Sequence, residues 1–363
     1  MIYQNAYKLL LTASQQIVSH KQVFARALID AAVKDYVGIS LTNEELLGHL
    51  FGEALSHRIH RKLLESRNIY VQEFDVPQTE LFYSMAEAVP FVAASHNIAN
   101  LFAAPAVEGA ETVRILDIGV GRGRQLRGLI SLISERNPSL KKVSVVALDP
   151  VEQNLIDSRE MARGLNAEVN AEIEFHPVCE MIEEISDADF QNLGGSTEGP
   201  LLVNSAFTLH HTAHPLSDNT TRTQLIERIA QLEPAAFTLI EPSSNHDTEY
   251  LPKRFQSAWE HYGTVFALVD ESSIDDSHKH LIKQKFFGRE IQDIFGTSDY
   301  FRSERHEHFE SWLLRLHRAG FKPIAAPEIP VSLPEYCRLK VSDGLVRMDY
   351  RDLTVVAVFA VHV

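Results

Sequence analysis

The sequence predicts an α/β fold in which helices alternate with the strands of a largely parallel, doubly wound sheet. Helical periods fill residues 1–105, whereas short aliphatic and β-branched runs alternate with helical patterns after residue 105. Two late apolar runs predict a hairpin that adds an antiparallel strand. We therefore expect a sheet of about seven strands over residues 106–363, preceded by an N-terminal helical cap over residues 1–105.

The individual elements follow from local patterns. Thr42 and Glu45 have the spacing of a capping box, and Leu47, Leu50 and Ala54 then lie on one face of a helix. A similar period covers residues 9–18, 24–36 and 81–102. The predicted strands are 113–118, 143–148, 171–175, 200–206, 236–241, 345–348 and 353–361.

The amino-acid composition limits the classes of protein to which this chain can belong. The chain of 363 residues carries 34 Lys and Arg against 49 Asp and Glu, a formal net charge of −15 at pH 7. Its average field therefore repels nucleic-acid backbones and anionic membranes. The two cysteines are far apart, the start lacks a secretory pattern, and apolar runs stay shorter than the ~18 residues of a membrane span. We expect a soluble, cytoplasmic protein without direct nucleic-acid or membrane partners, and a candidate homodimer.

The turn after the first predicted strand carries the strongest signal for a ligand. Glycines at alternate positions let a backbone approach a ligand closely, and an acidic residue at the end of the next strand offers an acceptor to ribose hydroxyls. A tight turn that binds nothing is the alternative. The candidate cofactor-binding residues are Asp117, Gly119, Gly121, Gly123, Gln125, Asp149, Pro150 and Asn204.

This segment resembles a known motif. Residues 114–123 read Arg-Ile-Leu-Asp-Ile-Gly-Val-Gly-Arg-Gly. They resemble the first motif of class I S-adenosylmethionine-dependent methyltransferases more than a nicotinamide fingerprint, whose glycines follow G-x-G-x-x-G. The resemblance implies the Rossmann-like sheet of that methyltransferase class, with S-adenosylmethionine as the cofactor.

A second resemblance covers nearly the whole chain. Val113–Asp117 is similar to the VHIID motif of the GRAS family, which is best known from plant transcriptional regulators and has bacterial members that resemble methyltransferases. The three glycines that follow depart from the plant pattern and favour a retained methyl-donor site. The resemblance is to a bacterial GRAS-like protein. Further similar blocks are Tyr7–Leu11, Glu53–Arg58, Phe82–Tyr83, Phe91–Asn97, Pro200–Ser205, Ile240–His246, Gly288–Ile291, Glu304–Glu307 and Trp312–Phe321.

Two histidines after the strand 200–206 are candidate catalytic groups. Leu209-His210-His211 is similar to an element that lies beside the transferable methyl group in many small-molecule methyltransferases. A histidine, with an unperturbed pKa of about 6.5, suits the base that accepts a proton from a hydroxyl nucleophile. Structural packing and helix capping are the alternative roles. With Glu241, the candidate catalytic set is His210, His211 and Glu241.

Metal binding is not predicted. His210, His211 and His214 have spacings that suit ligation, but Pro215 interrupts a continuing helix and no acidic or cysteine partner is near in sequence.

Candidate substrate contacts lie in the cap and after the strands, because open α/β folds bind substrates at the carboxyl edge of the sheet. An arginine among them could recognise an anionic group, with a salt bridge as the alternative. The set comprises Phe82, Tyr83, Asn97, Phe207, Asn245, His246, Arg254, Tyr262 and Arg289.

The retained glycines and the paired histidines favour an S-adenosylmethionine-dependent methyltransferase that acts on a small-molecule substrate. The alternative is a non-catalytic GRAS-like ligand sensor or protein-interaction regulator, which the resemblance to plant regulators favours because function does not follow from fold.

Overall fold

The computed structural model describes residues 3–33, 42–60, 68–195, 198–212 and 220–363. The α-helices in these ranges are α1 Tyr3–Val18, α2 Gln22–Val33, α3 Asn43–Ile59, α4 Gln78–Ala88, α5 Pro90–Ala103, α6 Arg124–Arg136, α7 Glu152–Leu165, α8 Asp187–Asn192, α9 Thr220–Gln231, α10 Leu251–Glu271, α11 Asp276–Leu281, α12 Gly288–Gly296 and α13 Phe309–Arg318. The strands are β1 Thr112–Ile118, β2 Lys142–Leu148, β3 Glu172–Val178, β4 Leu201–Ala206, β5 Ala236–Pro242, β6 Lys322–Pro323, β7 Cys337–Ser342, β8 Leu345–Tyr350 and β9 Leu353–His362. Among the described helices, none combines the length and apolarity needed to cross a bilayer.

The chain folds into two compact units. The helical unit comprises the described residues of Met1–Val89 and Ser243–His308, and the sheet unit comprises those of Pro90–Thr212, Asp218–Pro242 and Phe309–Val363. This division differs from the predicted boundary at residue 105. Helix α5 packs with the sheet unit, whereas the segment from Ser243 onward returns to the helical unit.

The sheet has nine strands in the order β3-β2-β1-β4-β5-β9-β8-β7, with β6 paired to β9. Strands β1 to β5 pair in parallel, and β9 joins β5 in the antiparallel direction. The predicted α/β class is therefore confirmed, but the predicted count of seven is wrong. It omitted β6, which has two residues, and β7, whose side chains are mostly exposed and therefore lack a continuous apolar run.

Burial on both faces explains why β1 reads as an aliphatic run. Val113 and Ile115 pack into one hydrophobic cluster, whereas Leu116 and Ile118 pack into another. Alternate residues of a strand point to opposite faces, so a parallel strand with helices on both faces needs apolar residues at nearly every position.

The helical unit has an aromatic core. Phe51 of α3 lies with its ring centroid 5.2 Å from Phe255 of α10 and 5.1 Å from Phe295 of α12. The predicted capping box is confirmed, because the Thr42 hydroxyl accepts from the Glu45 amide and the Glu45 side chain accepts from the Thr42 amide. The capping box thus fixes where α3 begins, and the ring contacts of Phe51 pack α3 against α10 and α12.

Candidate functional site

The carboxyl ends of β1, β2, β4 and β5 form one edge of the sheet unit, which we call the sheet-edge site. The strand order reverses between β1 and β4, and ligands of open α/β sheets bind at such a switch point. The predicted turn between β1 and α6 is present there, with φ of 76° at Gly119, 53° at Gly121 and 75° at Gly123. Left-handed φ values at three alternate positions explain why this turn requires glycine.

Asp149 joins the glycine turn to the end of β2. Its Oδ2 accepts from the Gly121 amide at 3.0 Å, and its Oδ1 accepts from the Val151 amide at 2.9 Å and from Asn154 Nδ2 at 3.0 Å. Burial raises the pKa of Asp149, although these hydrogen bonds oppose the rise. The neighbouring Pro150 is half-buried. The carboxylate therefore orders the turn by contacts made within the protein.

A buried polar network lies beside this turn. Asn204 donates to Asp117 Oδ1 at 2.9 Å, and its own Oδ1 accepts from Gln125 Nε2 and Thr238 Oγ1, both at 2.8 Å. Burial raises the pKa of Asp117 to about 7, opposed by the Asn204 hydrogen bond and reinforced by the charge of Asp149. The network thus places a carboxyl group that can change protonation near neutral pH at the centre of the sheet edge.

Thr208 packs directly against Gly119 of the glycine turn. A Cβ atom added at Gly119 would lie 2.0 Å from Thr208 Oγ1, which itself donates to the Ala206 carbonyl at 2.9 Å. Phe207, the residue before it, has φ of 53°, a conformation that L-residues adopt at a cost. The loop after β4 is therefore fitted tightly over Gly119.

His210 and Glu241 form a buried pair at the end of β4 and β5. His210 Nδ1 and Glu241 Oε2 share a hydrogen bond of 2.6 Å, and Glu241 Oε1 accepts from the Leu209 amide at 2.8 Å. The rings of His210 and His211 lie 3.8 Å apart between centroids. Burial raises the pKa of Glu241 to about 8. The pair therefore holds a proton at this contact near neutral pH, while His214 lies outside the described residues.

The predicted substrate contacts divide between the two units. In the sheet unit, Asn97 is exposed on α5, and the Phe207 ring lies 6.1 Å from that of His96. In the helical unit, Phe82 and Tyr83 meet edge to face at 5.8 Å, and His246 stacks on Tyr262 at 5.5 Å, whereas Asn245 accepts from the Thr248 amide at 3.3 Å.

Both candidate arginines make structural contacts within the helical unit. Arg254 is fully buried and pairs with Asp299 at 2.5 Å. Arg289 pairs with Asp75 at 3.0 Å, donates to the Val76 carbonyl and covers the Phe74 ring at 3.8 Å. The salt bridges considered as the alternative are therefore the contacts observed.

Sequence reasoning missed two members of the sheet-edge site. Thr238 is a polar residue between the apolar Phe237 and Leu239 of β5, and that interruption was a usable signal for a buried hydrogen bond. Thr208 gave no comparable signal, because its role depends on how the loop folds over Gly119.

Comparison with known proteins places these features in a family. The family model of the GRAS domain family matches residues 6–333. DELLA protein RGL3 of Arabidopsis thaliana is 24% identical over 82% of this chain and 56% of its own length, and Chitin-inducible gibberellin-responsive protein 2 of Oryza sativa subsp. japonica is 26% identical over 87% and 59%. Scarecrow-like transcription factor PAT1 of Arabidopsis thaliana is 27% identical over 65% and 49%. The chain thus spans about half the length of these curated relatives.

A solved structure shows the same fold. The crystal structure of SCL7 in Oryza sativa superposes with a TM-score of 0.79 at 17% sequence identity, covering 98% of this chain and 99% of that chain.

The prediction of a methyltransferase is wrong. The relatives are named as a DELLA protein, a gibberellin-responsive protein and a transcription factor, and these names point to regulation and not to methyl transfer. Catalytic roles for His210, His211 and Glu241 lose their basis, and the predicted small-molecule substrate lacks support. The predicted resemblance to GRAS proteins is confirmed, whereas a bacterial origin stays a prediction. With its model matched over residues 6–333, the chain belongs to the GRAS domain family.

Proposed function

We propose that this chain is a non-catalytic regulator that senses an adenosyl ligand, S-adenosylmethionine or S-adenosylhomocysteine, at the sheet-edge site. The regulatory class is supported by the relatives. The ligand is supported by one observation above all, the three left-handed glycines of the turn at the switch point, of which Gly121 donates its amide to Asp149. Three glycines in one turn cost conformational entropy on folding, so their presence favours a role in close backbone approach.

Asp149 suits the ribose hydroxyls of such a ligand. Each carboxylate oxygen can accept two hydrogen bonds, and Oδ2 accepts one, from the Gly121 amide. A hydroxyl could therefore donate to Oδ2 without breaking the contact that orders the turn. The other oxygen already accepts two hydrogen bonds, which fix the direction of the carboxylate.

Asp117 suits the cationic part of the ligand. Its buried carboxyl has a pKa raised to about 7, so ionisation is costly without a neighbouring cation. Both proposed ligands supply an ammonium group, and S-adenosylmethionine supplies a sulfonium in addition. A cation beside Asp117 would lower its pKa, and binding would therefore release protons.

Calorimetry in two buffers of different ionisation enthalpy tests this proposal. At pH 7 we expect binding of either compound to release roughly half a proton, because Asp117 is about half protonated in the absence of a cation. Asp117→Asn should remove the proton release. Gly121→Val should abolish the heat by adding a branched side chain at φ of 53°. Gly109→Ala, at φ of 79° outside the site and with open space around it, is the matched control and should bind as wild type.

Three outcomes would overturn the proposal. If neither compound gives a heat of binding at any salt concentration from pH 6 to 8, the chain does not bind an adenosyl ligand. Binding that survives Gly121→Val would move the ligand away from the glycine turn. Labelled methyl groups appearing on a metabolite or protein of a cell extract would contradict a non-catalytic role.

A further inference from the structure

Three buried side chains of residue types that can bind metal ions lie close together in the helical unit, at positions far in sequence from the glycine turn. Glu290 lies on α12, and Glu304 and His306 lie in the segment that follows it. One ligand atom from each residue lies within 4.8 Å of the other two. Their exposures are 6% for Glu290, 0% for Glu304 and 3% for His306. We call these three residues the EEH cluster.

The fold holds the donors of the EEH cluster in place. Asp293 of α12 accepts from the Ser303 and Glu304 amides at 2.8 and 2.7 Å, which ties the segment 303–306 to the helix that carries Glu290. The buried Tyr262 hydroxyl donates to Glu290 Oε2 at 2.9 Å. Carboxylate ligands of metal sites are commonly oriented by an outer hydrogen bond of this kind.

Two further buried imidazoles surround His306. The rings of His246 and His261 lie 4.5 and 5.5 Å from the His306 ring, and the His246 amide donates to the His306 carbonyl at 2.9 Å. Within the described part of the chain, Nδ1 of His246 and Nδ1 of His261 are buried and find no hydrogen-bond partner. A buried polar nitrogen without a hydrogen-bond partner costs free energy. Two such nitrogens beside His306 are therefore a second sign that this region binds a group that the protein itself does not provide.

Charge also favours a cation. Glu304 Oε2 lies 3.3 Å from His306 Nε2, and two carboxylates this close to each other inside a protein repel each other strongly. A divalent ion would balance them, and the His306 imidazole would add the nitrogen donor that Zn²⁺ prefers over Mg²⁺ or Ca²⁺. Both cysteines of the chain belong to the sheet unit, so the helical unit itself supplies no thiolate ligand.

We propose that Glu290, Glu304 and His306 bind a divalent transition-metal ion, with Zn²⁺ as the expected metal. Two donor atoms bound to one zinc ion lie at most roughly 4.4 Å apart, because each bond to zinc is about 2.0–2.2 Å long. The donor atoms of the EEH cluster lie within 4.8 Å of one another, so small side-chain movements would bring them to that distance. The ion is structural, since its ligands are shielded from solvent. It cross-links α12 to the segment 303–306, a role that is independent of the sensor function proposed above.

The test uses the full chain without a polyhistidine tag, which would itself bind zinc. The protein is dialysed against a chelator, returned to chelator-free buffer and titrated with Zn²⁺, and bound metal is measured by inductively coupled plasma mass spectrometry. We expect about one ion per chain and a midpoint of thermal unfolding raised by at least about 2 °C. X-ray absorption at the zinc edge should show nitrogen and oxygen ligands and no sulfur. This spectrum needs no variant and so does not depend on whether variants fold.

The variants Glu304→Gln and His306→Gln should each lose the bound ion. Glu249→Gln and His280→Gln, at exposed positions of the same unit, are the matched controls and should retain it. Zinc content that is unchanged in both cluster variants would overturn the proposal, because the ion would then be bound elsewhere. Sulfur in the absorption spectrum, or no retained zinc in the wild type, would overturn it equally.

Discussion

At the scale of single residues, Gly119 shows a position where two separate constraints require glycine. Its φ of 76° is left-handed, and an added Cβ would lie 2.0 Å from Thr208 Oγ1 and 2.8 Å from Thr208 Cγ2. Gly109 has a nearly equal φ of 79° but open space where its Cβ would be. Comparing the two positions therefore separates backbone strain from steric overlap.

We expect Gly119→Ala to lower the free energy of unfolding by about 2–4 kcal/mol and Gly109→Ala to lower it by about 1–2 kcal/mol, because both pay for the left-handed conformation and the first also displaces Thr208. Urea denaturation measures both values. Adding Thr208→Ala should recover part of the loss at Gly119 only, since it removes the two nearest of the three overlapping Thr208 atoms and leaves Cβ at 2.9 Å. Equal losses at the two glycines, or no rescue by Thr208→Ala, would show that Thr208 does not restrict the turn.

Glu241 links stability to pH. Burial raises its folded-state pKa from 4.5 to about 8, so between these values the native state keeps a proton that the unfolded state has lost. Its contribution is complete below pH 4.5 and is lost as the pH rises through 8. Stability should therefore fall with rising pH in this window, by at most about 1.4 kcal/mol per pH unit from this one group.

Glu241→Gln should flatten that fall, because glutamine stays uncharged at every pH. The measurement is urea denaturation at intervals from pH 5 to 8. Glu227→Gln, an exposed carboxylate on α9, is the control and should keep the wild-type slope. A slope in Glu241→Gln as steep as in the wild type would mean that other groups cause the pH dependence.

The sequence predicts some residues of the sheet-edge site and not others, for a physical reason. The glycines and Asp149 are local features, because strand ends and turns have short-range signatures. The pairing of His210 with Glu241 joins residues that lie far apart in sequence and depends on β4 and β5 being neighbours in the sheet. That neighbour relation is a property of the topology, which local patterns do not encode.

At the scale of elements, Asp299 holds together three parts of the helical unit. It accepts from Arg58 of α3 at 2.6 Å and from Arg254 of α10 at 2.5 Å, and it pairs with Arg302 at 3.3 Å. Burial alone would raise its pKa, but the three guanidinium groups outweigh that effect and lower it. Arg254 and Arg302 are buried, and Asp299 is a counter-charge for both, although Arg302 also lies 3.7 Å from Asp247.

We expect Asp299→Asn to lower the free energy of unfolding by about 2–4 kcal/mol, because it takes a counter-charge from two buried guanidinium groups. This range already allows for solvent screening, since Asp299 itself is partly exposed. Chemical denaturation followed by circular dichroism gives the value. The control is Asp276→Asn, whose carboxylate is exposed and should change stability by less than about 0.5 kcal/mol. A loss at Asp299 no larger than in the control would show that the arginines find other partners.

Strands of the sheet differ in how well the sequence predicts them. Strand β1 is buried on both faces and has apolar residues on both of them, whereas β7 alternates polar and apolar residues and lies at the edge of the sheet. Alternation is the pattern expected of a half-buried strand, so β7 carried a signal that a search for apolar runs alone does not detect. Strand β6, with two residues including Pro323, is below the length at which a periodicity can be recognised.

At the scale of the whole molecule, the division into two units is discontinuous in sequence. Helices α10 to α12 follow β5 along the chain, and local periodicity gives them the appearance of one more crossover of the α/β pattern. They instead pack with the helices of the first 89 residues. Which core an amphipathic helix joins depends on its partners, so the period of the helix alone cannot predict it.

The wrong prediction of an enzyme has a similar cause. The glycine turn and the histidines after β4 are present in the fold, and they specify a turn and a buried pair rather than a reaction. Structural features of this kind persist in proteins that differ in function, because function belongs to the complete site and not to the fold.

The net charge of the chain predicts weak binding to nucleic acid. A charge of −15 at pH 7 opposes approach to a polyanion, yet one relative is named a transcription factor. We expect this chain alone to bind a random duplex of about 30 base pairs more weakly than about 10⁻⁴ M at roughly 150 mM salt, and any link to DNA to require a partner protein. Fluorescence anisotropy with a labelled duplex measures this, and a basic DNA-binding domain is the positive control. Saturable binding whose affinity falls steeply with salt would contradict it, because that dependence requires several lysines or arginines to contact phosphates directly.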